Sequence, residues 1–384
     1  MQNFRGTFVN KHRDAWVEVN LGHLEHNLCE IKKTIFKNCE KKPDLLAVIK
    51  ADGYGHGSVM CAPIFSACGV KMFGVASVDE ALELRENKIT APILVLGAVP
   101  IWAYETAIKN DITVSIFTQE HLEAAKLIYE RIGIKLKAHI KIDSGMNRIG
   151  ISPKVANDFI KEAKEAKYLD LTGIFTHFAD VENKEILENQ IKNFKTVINS
   201  IDTKGLTIHC SNSLASLACE DLKFDMVRLG IILYGLSPMD YNCEPIIQLP
   251  NLKQIIGLKG RITNIHRIKA GEGVSYGHKF KADKDTTVAT IPIGYADGVS
   301  RSLSEKIEAS LNGKKIKQIG RITMDQMMFD ITGVEASLGD VITLLGEDDF
   351  GNFFSIDDWA KKLNTINYEL TCRLKVRLPR IYVR

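Results

Sequence analysis

The chain has 384 residues, more than one hydrophobic core usually accommodates, so we expect two domains. Its 50 basic and 47 acidic residues leave a net charge of +3 with no polybasic tail, which argues against nucleic acid or a membrane surface as a partner. No apolar run is long enough to span a bilayer, the first residues lack the apolar segment of a signal peptide, and the eight cysteines show no metal-ligand spacing, so we expect a cytoplasmic protein without a metal site.

Strand-like and helix-like segments alternate through the first part of the chain. A helix is predicted where Leu21, Leu24 and Leu28 recur at helical spacing after Asn20, a residue type that favours the N-cap. Crossover helices are predicted at 119–131, 153–166 and 184–200, and strands at 45–50, 72–77, 93–96, 112–117, 137–142, 171–177, 206–211 and 225–229. Eight strands in strict alternation favour a (β/α)8 TIM-type barrel over a doubly wound sheet.

The character of the sequence changes near Ser237. Prolines become frequent, helical periodicity is mostly lost, and segments rich in β-branched residues are separated by turn signals such as Asn312-Gly313. This pattern predicts a second domain that is a mainly antiparallel β structure. We expect the barrel to occupy residues 13–245 and the β domain residues 246–384, with residues 1–12 packing on the β domain.

Polar side chains stand where the predicted barrel strands end. Lys50, Lys141, His177, His209 and Arg228 each follow or close an apolar run. Alone, each has a simpler explanation: a lysine reaching solvent, a hydrogen-bonded histidine, or half of an ion pair. Because the carboxyl ends of barrel strands meet at one mouth, the set predicts a shared active site there. A lysine at the rim of an apolar strand is partly desolvated, which lowers its pKa and makes the neutral amine available as a nucleophile or base.

Small residues follow the last two predicted strands, at 211–213 and 228–231. Such junctions present hydroxyl and backbone N–H groups, and the last two strands of a barrel often carry a phosphate site. A phosphate here and a lysine opposite suggest pyridoxal phosphate, whose aldehyde reacts with an amine. A serine-rich helix N-cap that binds no ligand would look the same in sequence.

Nine short motifs, in order and at matching spacing, resemble those of the bacterial alanine racemase family. They are LAVIKADGYGHG (46–57), KIDSGMNRIG (141–150), GIFTHFAD (173–180), HCSNS (209–213), VRLGIILYG (227–235), GEGVSYGH (271–278), IPIGYADG (291–298), RITMDQ (321–326) and NYELTCRL (367–374). The resemblance covers nearly the whole chain. It implies a fold-type III pyridoxal-phosphate enzyme, with a barrel, a β domain and a homodimer in which each active site is shared between two copies.

The resemblance also assigns roles to individual residues. Lys50 would carry the internal aldimine, and Arg228 would donate to the pyridine nitrogen. Lys50 and Tyr276 of the partner subunit would be the two bases, and Arg148 and the partner's Met324 would line the substrate site. The phosphate would be held by Tyr54, Ser213, Gly230, Ile231 and Tyr368, and the surrounding residues would be His177, His209, Asn212, Lys141, Tyr295 and Asp325.

Two features of this set stay open at the level of sequence. Lys141 occupies the position of a carbamylated lysine in the family, but an ordinary ion pair with Asp143 explains it nearly as well. The departures from the family pattern are small: Ser144 stands where threonine is usual, Cys210 and Ser211 replace more typical small residues, and Gly53 replaces a common alanine. None of these changes removes a catalytic group.

The expected function is interconversion of L-alanine and D-alanine by a two-base mechanism on an external aldimine, supplying D-alanine for peptidoglycan. The alternatives are an amino-acid racemase of broader specificity, a barrel decarboxylase of basic amino acids and a pyridoxal-phosphate carrier without racemase activity. Arg228 argues against the decarboxylase, which would be expected to place a carboxylate at the pyridine nitrogen. A carrier would have no use for a β domain that bears Tyr276.

Overall fold

The computed structural model describes residues 12–37, 39–241, 244–374 and 377–384. Its first part alternates strands with helices. In chain order these are β1 (Ala15–Asn20), α1 (Leu21–Ile35), β2 (Asp44–Val48), α2 (Lys50–Tyr54), α3 (Ser58–Ala67), β3 (Met72–Val75), α4 (Val78–Glu86), β4 (Ile93–Ala98), α5 (Tyr104–Lys109), β5 (Ile112–Ile116), α6 (Gln119–Ile132), β6 (Leu136–Lys141), α7 (Ala156–Glu165), β7 (Leu169–Phe175), α8 (Lys184–Asn199), β8 (Thr207–His209), α9 (Ser213–Ala218) and β9 (Met226–Leu229). None of the helices in the described ranges is both long and apolar enough to cross a membrane.

Strands β2 to β9 form one parallel sheet that curls into a barrel. The pairing order is β9, β2, β3, β4, β5, β6, β7, β8. The two end strands are joined by backbone hydrogen bonds from Asp225 N–H to Ile208 O (3.1 Å) and from Arg228 N–H to Ser211 O (3.0 Å), so the barrel is nearly closed. Strand β5 is buried at all five positions, as expected for a parallel strand covered by helices outside and side chains inside. The predicted barrel is confirmed.

The second part is dominated by antiparallel strands. They are β10 (Ile256–Arg261), β11 (Asn264–Ile268), β12 (Gly273–Val274), β13 (Phe280–Lys281), β14 (Thr286–Ile291), β15 (Glu308–Leu311), β16 (Lys314–Ile319), β17 (Met327–Asp330), β18 (Val341–Glu347) and β19 (Phe353–Phe354), followed by α10 (Ile356–Leu363), α11 (Asn367–Arg373) and β20 (Arg380–Val383). Short 3₁₀ turns include Tyr276–His278 and Tyr295–Asp297. Asn312 and Gly313 have positive φ values (50° and 76°) between β15 and β16, which is the hairpin turn that this dipeptide predicts.

The first strand of the chain belongs to the second sheet. Strand β1 lies between β10, to which it is antiparallel, and β20, to which it is parallel. The sequence predicts that this strand belongs to the barrel, because the predicted barrel begins at residue 13. Ala15, Val17 and Val19 are fully buried and alternate with partly exposed residues, the pattern of a strand with one covered face. Residues 1–12 are expected to pack on the β domain, and residues 1–11 of that segment lie outside the described ranges.

Most predicted element bounds agree with the structure within a few residues. Helix α6 begins at Gln119 and α8 at Lys184, as predicted, and Asn20 caps α1 by accepting the N–H of His23 (3.0 Å). The clearest difference is at the first barrel strand, which was expected to end in Lys50. Strand β2 ends at Val48, and Lys50 begins the separate turn α2.

Candidate active site

A cavity of about 570 Å³ opens at the carboxyl ends of the barrel strands. It is the place where a TIM-type barrel gathers its reactive groups, because the loops after all the strands converge there. Most of the residues that the sequence singled out line it. These are Lys50, Tyr54, Lys141, Arg148, His177, Asn212, Ser213, Arg228, Gly230, Ile231 and Tyr368.

The turn α2 that follows β2 is left-handed. Ala51, Asp52 and Gly53 have φ near 51° to 61° and ψ near 44° to 50°, and Tyr54 also has positive φ. For residues with a Cβ this conformation costs roughly 1–2 kcal/mol each, so the surrounding contacts must hold it. The turn closes through hydrogen bonds from Gly53 N–H to Ile49 O (2.8 Å) and from Gly55 N–H to Ala51 O (2.9 Å). The turn therefore places both Lys50 and Tyr54 on the wall of one cavity.

The surroundings of Lys50 lower the pKa of its amine. Burial lowers its pKa below the ordinary lysine value, and the positive charge of Arg148 lowers it further. A larger share of Lys50 is therefore unprotonated at neutral pH than of a lysine in water. This is the state in which an amine adds to an aldehyde or accepts a proton.

Three residues of the same cavity, Tyr54, Ser213 and Gly230, form a small polar cradle. The hydroxyl of Ser213 accepts the N–H of Gly230 (2.9 Å). A Cβ on Gly230 would lie 2.8 Å from the Tyr54 hydroxyl and 3.8 Å from the Ser213 hydroxyl, so the backbone here lies close to both hydroxyls. Asn212 caps the following helix through Ala215 N–H (3.0 Å), which fixes the start of α9 beside the cradle. Two hydroxyls around a backbone that lacks a side chain suit an anion of the size of a phosphate.

Arg228 is the centre of a buried hydrogen-bond network. Its guanidinium donates to the backbone oxygens of Thr176 (2.7 Å) and Cys210 (2.8 Å), and to Nδ1 of His209 (3.0 Å) and of His177 (3.2 Å). Because arginine has no acceptor, both histidines must accept through Nδ1 and carry their proton on Nε2. Burial and the charge of Arg228 hold the pKa of each histidine far below its usual value, so both are neutral.

The network extends to a histidine that sequence reasoning missed. His209 Nε2 lies 3.0 Å from Nδ1 of His139, which is buried within β6. A Cβ on Gly173 of the next strand would lie 2.6 Å from the His139 ring, so this ring occupies the space that a side chain there would fill. The available signal was spacing: His139 and Lys141 are two apart on one strand and point to the same side.

Phe175, the last residue of β7, was also missed. Its ring stacks on His209 with the ring centres 4.9 Å apart and an angle of 5° between the planes. The Lys141 amine lies 5.3 Å and the Arg228 guanidinium carbon 5.5 Å from the centre of this ring. Phe175 thus supports two cations through its face.

Lys141 is almost fully buried, and its environment is cationic. Burial, with Arg148 and Arg228 nearby, lowers its pKa to about 7. Asp143, the proposed ion-pair partner, instead accepts backbone N–H groups from Gly145 (3.1 Å) and Asn147 (3.0 Å). Within the described ranges no carboxylate lies within 4 Å of the Lys141 amine. The neighbouring Ser144, a departure from the family pattern, bonds to the Thr176 hydroxyl (2.7 Å) under the mouth.

Four of the residues that the sequence assigned to the site lie on the β domain and do not line the cavity of their own chain. Tyr276 is 70% exposed and Met324 52% exposed, and Tyr295 and Asp325 are also exposed. Their segments are joined, because Tyr295 N–H donates to Thr323 O (2.9 Å) and the Ser275 hydroxyl donates to Arg321 O (2.7 Å). These four side chains are thus exposed to solvent on two joined segments of the β domain, outside the cavity lining.

Two family models match the chain. The one described as "Alanine racemase, N-terminal domain" matches residues 19–238, and the one described as "Alanine racemase, C-terminal domain" matches residues 255–382. Among curated proteins, an alanine racemase of Desulfovibrio desulfuricans is 40% identical over 382 residues, which cover 98% of this chain and all of that protein. Alanine racemase 1 of Oceanobacillus iheyensis is 37% identical over 98% of this chain and all of that protein.

Solved structures of similar proteins agree. Alanine racemase of Clostridium difficile 630 has a TM-score of 0.88 at 38% identity, with 96% of each chain covered. The alanine racemase from E. faecalis has a TM-score of 0.89 at 34% identity, covering 97% of this chain and 99% of that one. Alanine racemase of Bacillus anthracis with bound L-Ala-P has a TM-score of 0.86 at 34% identity, covering 97% and 96%.

Proposed function

The chain belongs to the alanine racemase family, and from that premise we propose how its residues interconvert L-alanine and D-alanine with pyridoxal phosphate as cofactor. The observation that carries the proposal is the cavity itself. An amine of lowered pKa, a phosphate-sized cradle and a buried arginine line one cavity of about 570 Å³. Each of the three suits a different part of that cofactor.

The residues present fit the cofactor at both ends. When bound, pyridoxal phosphate supplies an aldehyde that condenses with amines and a ring that withdraws electrons from the carbon to be deprotonated. The Tyr54 and Ser213 hydroxyls, on either side of the Gly230 backbone, would hold the phosphate, with Ile231 and Tyr368 beside them. Burial lowers the pKa of Arg228 to about 10, still well above neutral, so Arg228 would donate a hydrogen bond to the ring nitrogen without giving up its proton.

Racemisation needs one base on each face of the substrate. Lys50 supports the first face, because its amine lines the cavity and its pKa is lowered by burial and by the charge of Arg148. We assign the second face to Tyr276 of the partner subunit, with the partner's Met324 beside the substrate. The support is that both side chains are exposed and neither lines the cavity of its own chain. Arg148, on the cavity wall, would bind the substrate carboxylate and stabilise the tyrosine oxygen. His177, which is neutral and accepts a hydrogen bond from Arg228, would relay the effect of the Arg228 charge to that tyrosine.

Lys141 fits a carbamate better than a lasting ion pair. An uncharged amine adds carbon dioxide and releases a proton, and a pKa of about 7 keeps much of Lys141 uncharged at neutral pH. The carbamate anion would then neutralise part of the charge of Arg148. Asp143, the alternative partner, accepts two backbone N–H groups through Oδ1 and lies more than 4 Å from the Lys141 amine.

Exchange of subunits between two inactive variants tests the shared site. Lys50→Ala removes the amine and Tyr276→Phe the phenol, so each homodimer should be inactive. After equal mixing about half of the dimers are hybrids, and each hybrid regains one intact site of two, so about a quarter of the parent activity should return. Lys137→Ala, on strand β6 but paired with Asp111 outside the cavity, is the control for lysine removal. No recovery despite proven exchange would refute the shared site.

The same variants test the division of labour between the bases. Tyr276→Phe should slow solvent-deuterium exchange into one enantiomer of alanine far more than into the other, and Lys50→Ala should also abolish the visible absorbance of the cofactor-loaded protein. Equal losses for both enantiomers, or absorbance retained without Lys50, would contradict the assignment. Assays with and without added pyridoxal phosphate over a panel of amino acids separate alanine specificity from a broader racemase.

The alternative of a carrier without racemase activity is disfavoured by the second domain. The C-terminal family model matches residues 255–382, which include Tyr276 and Met324. We also propose that the enzyme acts in the cytoplasm and supplies D-alanine for peptidoglycan. A strain that lacks the gene and needs D-alanine for growth would test this role, since the intact chain should remove the requirement and the Lys50→Ala variant should not.

A further inference from the structure

We propose that Glu80 is a positioning residue for Lys50, because its carboxylate holds the left-handed turn that aims the lysine. The inference rests on the proposed role of Lys50. Glu80 lies on α4, outside the cavity lining. One carboxylate oxygen, Oε1, accepts the N–H of Ala51 (2.8 Å), and the other, Oε2, accepts the N–H of Ala76 (2.7 Å). Ala51 is the residue directly after Lys50 and the first in left-handed geometry.

From sequence Glu80 belongs to an ordinary helix start. Ser77 and Glu80 have the spacing of a capping box, in which the glutamate would reach back to the N–H of the capping serine. Half of that box forms, since the Ser77 hydroxyl accepts the N–H of Glu80 (3.3 Å). The carboxylate, however, turns to Ala76 and Ala51 instead. It is therefore diverted from the helix it would cap to the backbone that carries Lys50.

The two N–H groups that Glu80 binds belong to residues that follow the ends of two neighbouring barrel strands. Strands β2 and β3 are paired in parallel, and Ala51 and Ala76 follow them at the mouth. A carboxylate shared between two backbone N–H groups is a strong, directional link, because each bond involves an ionised acceptor. Glu80 thus fixes the start of the turn relative to the sheet, at the residue that directly follows Lys50.

Other contacts hold the far side of the turn. Asp52 accepts the N–H of Ser58 (2.9 Å), and Arg380 of β20 donates to Gly55 O (2.8 Å). Those bonds tie the turn to α3 and to the β domain. Without Glu80 the turn should persist through them, while the Ala51 end and the Lys50 amine gain freedom. The expected effect is on the aim of the amine, more than on the fold.

The test compares Glu80→Ala and Glu80→Gln with Glu83→Ala, an exposed glutamate one turn further along α4. Glutamine keeps one acceptor oxygen, so it should retain one of the two bonds and give an intermediate result. In cofactor-free protein, amide hydrogen exchange of Ala51 and Ala76 should accelerate for Glu80→Ala, less for Glu80→Gln, and not for Glu83→Ala. In cofactor-loaded enzyme, kcat should fall about 10- to 100-fold for Glu80→Ala while KM for alanine stays within about threefold, since misplacing a reacting group slows the chemical step.

Two results would overturn the proposal: unchanged exchange at Ala51, or accelerated exchange with parental kcat. Glu80→Ala and Glu80→Gln could also lower the melting temperature equally, and by enough to unfold the enzyme at the assay temperature. That result would count against a positioning role. Failure of the proposed function looks different, because it would appear as visible absorbance retained by Lys50→Ala. The hydrogen-exchange result on cofactor-free protein does not depend on that outcome.

Discussion

Replacing Gly230 by alanine is expected to weaken cofactor binding through one identifiable contact. The new Cβ would lie 2.8 Å from the Tyr54 hydroxyl, whereas an ordinary contact begins near 3.4 Å. The hydroxyl must therefore retreat by roughly 0.6 Å, the difference between these two distances. Tyr54 is buried, with Tyr234 and Tyr368 ring centres at 5.4 Å and 5.8 Å, so its ring has little room to move and still reach a phosphate.

The magnitude follows from the bond that is lost. A hydrogen bond to a charged group contributes about 1.5–3 kcal/mol, and each 1.4 kcal/mol is a factor of ten in affinity. Gly230→Ala should therefore raise the dissociation constant for pyridoxal phosphate about 10- to 150-fold. The backbone N–H of residue 230 and its bond to Ser213 remain possible, so the loss should not exceed this range by much.

The assay is a titration of cofactor-free protein with pyridoxal phosphate, followed by visible absorbance. Gly257→Ala, in strand β10, is the matched control, because its added Cβ would meet nothing closer than 3.2 Å and lies in the other domain. If the Tyr54 hydroxyl carries the effect, Tyr54→Phe should weaken binding to a similar degree and add little to Gly230→Ala. Full additivity of the two changes, or an affinity within threefold of the parent, would refute the reasoning.

Two further predictions concern stability. In buffer free of carbon dioxide, where Lys141 carries no carbamate, its folded-state pKa is lowered to about 7 from the ordinary 10.5, so below pH 7 the folded chain carries an unpaired buried charge, and its stability rises with pH between pH 7 and pH 10.5. Lys141→Met should therefore raise the melting temperature of cofactor-free protein most below pH 7, with the gain shrinking toward pH 10.5, whereas Lys137→Met should show no such trend. Asp297→Asn should lower the free energy of unfolding in urea by roughly 3 kcal/mol, because the fully buried carboxylate pairs with Arg13 (2.6 Å). Asp111→Asn, in an exposed ion pair, should change it by less than about 1 kcal/mol, and equal losses would contradict the burial argument.

Much of the fold follows from local patterns in the sequence. Apolar runs and amphipathic stretches gave the barrel, because parallel strands buried on both faces and crossover helices have distinct periodicities. Two features escaped this reasoning. Strand β1 alternates correctly, but nothing local states which sheet it joins, and its partners β10 and β20 lie more than 200 residues away. The left-handed turn after Lys50 reads as an ordinary glycine-rich loop, since Ala51 and Asp52 do not signal positive φ.

The candidate site was predictable where its residues end strands. Asking what closes each strand found Lys50, Lys141 and Arg228, because parallel strands deliver their carboxyl ends to one mouth. His139 was missed since a residue inside a buried strand is usually core. Glu80 was missed since its spacing to Ser77 already has a local explanation. The place of Tyr276 came from the family resemblance alone, because contacts between two copies leave no periodic signal in one chain.

The charge of the cavity links cofactor binding to proton transfer. Four basic side chains line it (Lys50, Lys141, Arg148 and Arg228), and the described lining contains no aspartate or glutamate. Crowded cations disfavour one another, which is part of why the pKa of each lysine is lowered. An anion that enters the cavity relieves this repulsion and raises the pKa of both amines. In the proposed function, the Lys50 amine would be most readily neutral before such an anion binds and a stronger base afterwards, which suits an amine that must first react in its neutral form and later take up a proton.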